Sequence, residues 1–92
     1  MLYLVKVRVD VTKLAEFGAK IANQEFDNSS TRWTYCRKDD PAVGYSLWET
    51  TDEAEFVKKF SPYRPYYAEV EVTEMVLPSE AQALLMDGAQ RQ

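Results

Sequence analysis

Few side chains in this sequence could do chemistry, and most of them alternate with apolar residues. Lys6 and Arg8 punctuate LYLVKVRVD, Glu69 and Glu71 punctuate AEVEVTEMV, and Glu49 closes VGYSLWE, which also carries Tyr45. Cations and carboxylates brought together on neighbouring strands can hold a small anion and move a proton, provided that one carboxylate is desolvated enough to titrate near neutrality. The plainer reading pairs Lys6 and Arg8 across strands with Glu69 or Glu71, worth a few tenths to about 1 kcal/mol each. The residue pattern favours that plainer reading.

Tyr63, Tyr66 and Tyr67, bracketed by Pro62 and Pro65, offer a second candidate group. They would rim a cavity and donate phenolic hydrogen bonds, or fill a corner with their hydroxyls in water; packing is the commoner use of such residues. Trp33 and Trp48 read as core or interface. Cys36 is the sole cysteine, so no intrachain disulfide exists, and nothing around it argues for a reactive thiolate.

The 92 residues contain no histidine, which excludes a Ser-His-Asp triad, a Cys-His dyad and a histidine-ligated metal within the chain. The acidic residues lack the spacing of a calcium loop, so no metal is expected. A net charge of −4 argues against a nucleic-acid partner, since phosphate binding needs clustered cations. An RNA-recognition domain shares the order of elements derived below, but Val43 to Glu49 carries no basic residue beside its aromatics. No window approaches the roughly 18 apolar residues of a membrane span, and the alternating N-terminus does not read as a signal peptide. The expected location is cytoplasmic.

Positioning these residues requires a simple framework. Leu2 to Asp10 reads as a strand with Tyr3, Val5, Val7 and Val9 on one side and Leu4, Lys6 and Arg8 on the other. Thr12 is the expected N-cap of a helix reaching about Phe26, and Gly18 within it is expected to mark close approach to a strand. After the polar turn Asp27-Asn28-Ser29-Ser30, Thr31 to Arg37 and Val43 to Glu49 form a hairpin. Thr50 with Glu53, or Asp52 with Glu55, fits a capping box opening a helix whose apolar stripe is Ala54, Val57 and Phe60, with Phe56 beside it. Pro62 ends that helix, Ala68 to Leu77 forms the fourth strand, and Pro78 opens a short helical tail.

The resulting β-α-β-β-α-β order predicts one ferredoxin-like α+β domain over residues 1–92, with 78–92 as a C-terminal helical tail. Both helices would cover one face of a four-stranded antiparallel sheet. On so small a domain the bare face is expected to meet a second copy, giving a homodimer or higher homo-oligomer. The open face would present Leu4, Lys6 and Arg8, Glu69, Glu71 and Thr73, and either Tyr45, Leu47 and Glu49 or Gly44, Ser46 and Trp48.

Three segments, MLYLVKVRVDV, LWETTDE and the elbow P-Y-R-P-Y-Y with EVEVT, resemble the muconolactone isomerase-like branch of the dimeric α+β barrel superfamily. The resemblance spans nearly the whole chain and rests on short motifs. It implies a dimeric barrel, no metal or organic cofactor, and proton transfer on a small unsaturated acid or lactone. Lys6 then matches a cation on the first strand and Glu49 an acidic residue closing the third, which turns the Tyr45, Leu47 and Glu49 side towards the cavity. On this reading Glu49 or Glu71 is the acid/base, and Lys6, Arg8, Tyr45 and Tyr66 bind the substrate. The chain departs from the isomerases in carrying Leu4 where they can have histidine and Leu47 where they can have an acidic residue. Those losses leave two alternatives: a non-catalytic homodimeric binding or accessory protein, and a cofactor-free monooxygenase with a deep Trp- and Tyr-lined pocket.

Overall fold

The computed structural model describes residues 1–90, without the side chains of the last two of these. Its elements are β1 (Leu2–Val9), α1 (Leu14–Ala22), β2 (Thr31–Cys36), β3 (Val43–Glu49), α2 (Glu53–Phe60), β4 (Tyr67–Met75) and α3 (Pro78–Gln90). The strands form one antiparallel sheet in the order β2-β3-β1-β4, the ferredoxin-like arrangement that the sequence predicts.

Period-two alternation on β1 sends Tyr3 and Val5 into the core and leaves Lys6 exposed on the other side. Facing residues of an antiparallel ladder share a sheet face. Leu4 opposite Leu47 and Lys6 opposite Tyr45 therefore put Tyr45, Leu47 and Glu49 on the open face, while Trp48, opposite Tyr3, is buried.

The core is aromatic. Tyr3, Val5, Trp48, Phe56 and Phe60 form its centre, with Tyr3 stacked on Phe56 at 4.4 Å between ring centroids. Asp52 caps α2 by accepting a 2.8 Å hydrogen bond from the Glu55 backbone N–H, while Lys58 and Lys59 occupy the last turn. The helix ends at Phe60 as expected, but Ser61, directly before Pro62, keeps helical angles of φ −51° and ψ −38°, so the proline does not act by turning the preceding residue out of the helical region.

Several expectations need correction. The first helical segment begins as a 3-10 turn over Val11–Lys13 capped by Asp10, whose carboxylate accepts from both the N–H and the hydroxyl of Thr12. Thr12 is thus the donor in the cap, because a charged acceptor lies two residues upstream. The helix stops at Ala22, four residues short of Phe26, and Gln24 takes a positive φ of 56° in the turn that follows. A β-carbon at Gly18 would meet nothing within 4 Å, so that glycine marks no close approach. On α2 the buried pair is Phe56 and Phe60, spaced i and i+4, whereas Ala54 and Val57 are exposed.

The C-terminal helix stands off from this body, giving the protomer extents of 53 × 30 × 18 Å. Leu77, Leu84, Leu85 and Met86 are all more than half exposed.

Candidate functional site

The open sheet face gathers most of the charged residues that the sequence singles out, but it does not assemble them into one constellation. Lys6 lies between Tyr45 on β3 and Glu71 on β4, whereas Glu49 faces Leu2, four residues away along β1. Four residues of strand span about 13 Å, so Glu49 and Glu71 of one protomer cannot contact the same reacting atom. Glu49 is engaged by Arg32, whose Nε donates to Oε1 at 3.0 Å and whose Nη2 lies 2.9 Å from the same oxygen as an ion pair. Arg8 pairs with Asp40 at 3.1 Å and with Glu69 at 3.8 Å. All of these groups are at least two-fifths exposed, where such pairs contribute about 1 kcal/mol or less. A shallow depression of about 210 Å³ runs past Lys6, Arg8, Arg37, Glu69 and Glu71.

Tyr66 is not part of that face. It is 5% exposed, its ring stacks on Phe17 at 5.0 Å, and its hydroxyl donates to Glu16 Oε1 at 3.2 Å. The Lys20 ammonium lies 5.4 Å from the ring centroid on the same outer layer. The 3-10 turn Arg64–Tyr66 rotates this tyrosine into the helix layer, away from Lys6 and Arg8.

An apolar hollow larger than that depression lies on the opposite side of the sheet. It has a volume of about 460 Å³ and is bounded by the helix-facing side of β2 and β3, by α1, and by the elbow before β4. Phe17, Ile21, Trp48, Tyr63 and Tyr67 supply its walls, and no Asp, Glu, Lys or Arg is among the described lining residues. That volume suits a one- or two-ring organic molecule. Gly44 opens the floor, since a β-carbon there would sit 3.5 Å from Cys36 Sγ and 3.8 Å from Val7 Cγ2.

The lining also carries uncharged polar side chains, among them Asn28, Thr31, Thr34 and Ser46. The Trp48 indole N–H donates to Ser46 Oγ at 2.9 Å. Burial pushes the Tyr67 phenol well above its ordinary value, with Tyr63 and Cys36 adding to the effect. Burial likewise raises Tyr63, with a smaller contribution from Asp27. Both phenols therefore stay protonated at neutral pH and act as hydrogen-bond donors, not as bases. Tyr63 and Tyr67 were visible in the sequence as candidate rim residues. Phe17, Thr31 and Gly44 were not, because depth beneath a helix leaves no mark on strand alternation.

No protein-family model matches the chain, and no curated protein matches it. Among solved structures it is similar to 5-chloro-2-hydroxyhydroquinone dehydrochlorinase (TftG) from Burkholderia phenoliruptrix, solved in complex with 2,5-dihydroxybenzoquinone. The TM-score is 0.57 at 12% identity, covering 87% of this chain and 98% of that one. A candidate antibiotic biosynthesis monooxygenase from Bordetella bronchiseptica matches at a TM-score of 0.46 and 19% identity, covering 83% of this chain and 96% of that one. The protein is a ferredoxin-like α+β domain, by its own topology and by its likeness to TftG.

Proposed function

We propose that the protein is a small-molecule-binding dimeric α+β barrel protein whose protomers each hold a neutral, ring-shaped organic compound in the aromatic cavity. The observation that carries this reading is the absence of charge from the described lining of the 460 Å³ cavity. Transferring a carboxylate into apolar surroundings without a cationic partner is strongly unfavourable, whereas a neutral aromatic ring gains from burial against Trp48, Tyr63 and Tyr67. Holding the two phenols protonated leaves no strong base in the wall, which favours binding over proton transfer at this place. The one-ring quinone bound by TftG is a precedent for a ligand of this size in this fold.

Isothermal titration with 2-naphthol and 2-naphthoate tests the reading, because the two probes share a ring system and differ in charge at neutral pH. The neutral probe is expected to bind at least tenfold more tightly. Tighter binding of the anion would move the site to the Lys6 and Arg8 face.

A second reading keeps the muconolactone isomerase-like chemistry on the open face. It is favoured by the row Tyr45-Lys6-Glu71 across three strands, which a second copy would enclose. Lys6 and Arg8 would hold a small unsaturated acid or lactone, and Glu71 would move the proton, with Glu49 of the other protomer as its alternative. Loss of lactone turnover in Glu71→Gln or Glu49→Gln, with circular dichroism unchanged, is the expected result. Turnover indifferent to both changes removes this chemistry.

A further inference from the structure

The hydroxyl of Thr31 is the one buried side-chain oxygen or nitrogen among the described residues that has no hydrogen-bond partner. Thr31 opens β2 opposite Trp48, beside the register shift between Thr31 and Trp33, and forms part of the cavity wall. A buried hydroxyl without a partner costs about 1–3 kcal/mol, and a native structure that retains one calls for a reason.

Threonine carries its hydroxyl and its methyl on the same carbon. A strand residue readily occupies either of two χ1 wells, and a turn of about 120° in one sense carries the hydroxyl to the place the methyl held, while the methyl moves to the hydrogen's place. Most side-chain hydroxyls lose a hydrogen bond when they turn; Thr31 has none to lose. The wall has two other small hydroxyls: that of Ser46 is already the acceptor for Trp48, and that of Thr34 belongs to an exposed residue.

We propose that Thr31 is the polar anchor of the cavity. When a ligand enters, its hydroxyl turns inward and bonds the hydroxyl or carbonyl oxygen of a neutral ring compound. The ligand class thereby narrows from any apolar molecule to a phenol, naphthol or ring ketone. This inference rests on the cavity being the binding site.

The full-length protein and its Thr31→Val and Thr31→Ser variants can be titrated calorimetrically with 2-naphthol and with naphthalene, and their melting temperatures measured without ligand. Thr31→Val is expected to melt higher, because a methyl replaces an unpaired hydroxyl of nearly the same shape. It should lose about tenfold in affinity for 2-naphthol while binding naphthalene as well as before. Thr31→Ser, which keeps the hydroxyl, should retain the preference for 2-naphthol. Equal losses for both probes, no loss for 2-naphthol, or a lower melting temperature in Thr31→Val would each overturn the anchor. A wild-type protein that binds neither probe would overturn the cavity reading itself and the anchor with it.

Discussion

Gly44 on β3 and Cys36 on β2 face each other directly, and a β-carbon at position 44 would stand 3.5 Å from the cysteine sulfur. That is ordinary van der Waals separation, and Gly44 has no positive φ to preserve, so a side chain fits at the expense of cavity volume. Gly44→Ala is expected to raise stability by about 0.4–1 kcal/mol in urea unfolding, chiefly by restricting the unfolded chain. Gly44→Val adds two further methyl groups to the floor of the hollow and should weaken 2-naphthol binding in calorimetry. Unchanged affinity in the valine variant would place the ligand elsewhere.

Two adjacent residues on α2 should respond oppositely to truncation. Phe56 packs on Tyr3, Trp48 and Phe60, with ring centroids 4.4, 5.6 and 5.4 Å away. Phe56→Ala is expected to cost about 3–5 kcal/mol in denaturant unfolding. Val57 is 53% exposed, and Val57→Ala should stay within about 0.5 kcal/mol of wild type. A large effect at Val57 would indicate that α2 is covered by another chain.

Alkaline stability follows from the buried phenols. Burial raises the Tyr67 and Tyr63 phenols in the folded protein, so the folded state holds these protons more tightly than the unfolded chain does. The resulting stabilisation is fully present below the unfolded tyrosine value of about 10 and is lost as pH rises through the higher folded values. Melting temperature should therefore fall above about pH 10, and fall less steeply in Tyr67→Phe, which has no proton to lose. Identical alkaline slopes would place the Tyr67 hydroxyl in water.

The exposed arm gives a test of assembly. Leu84 and Leu85 on α3 are 64% and 75% exposed, and the helix carries them clear of the protomer's own core. In a homodimer this apolar surface is expected to lie against the second copy. The double substitution Leu84→Asp and Leu85→Asp should shift the dimer towards monomer in native mass spectrometry while leaving circular dichroism unchanged. A dimer of undiminished strength would assign its interface to the sheet face alone, and a wild-type monomer would remove the barrel.

Element order was legible because its signals are local. Alternating valines on β1, turn residues between β2 and β3, the Asp52 cap and the Pro62 stop each act within a few residues, and together they specify βαββαβ. Local signals misled where two caps competed, at Asp10 and Thr12, and where a glycine in a periodic pattern faced open space at Gly18. The neighbours of Lys6 were legible as a face but not as distances. Only the register sets Glu71 beside Lys6 and Glu49 four residues further along.

The sequence by itself determined the fold class, the open-face residues of β1, and the absence of histidine chemistry, because composition and short-range periodicity carry that information. Tertiary structure alone decided that Tyr66 packs on Phe17 while Tyr63 and Tyr67 border a hollow, and that Thr31 is left without a partner. The reason is physical. Depth, enclosure and hydrogen-bond satisfaction depend on how α1 and the elbow settle over β2 and β3, and those contacts join residues far apart in the chain.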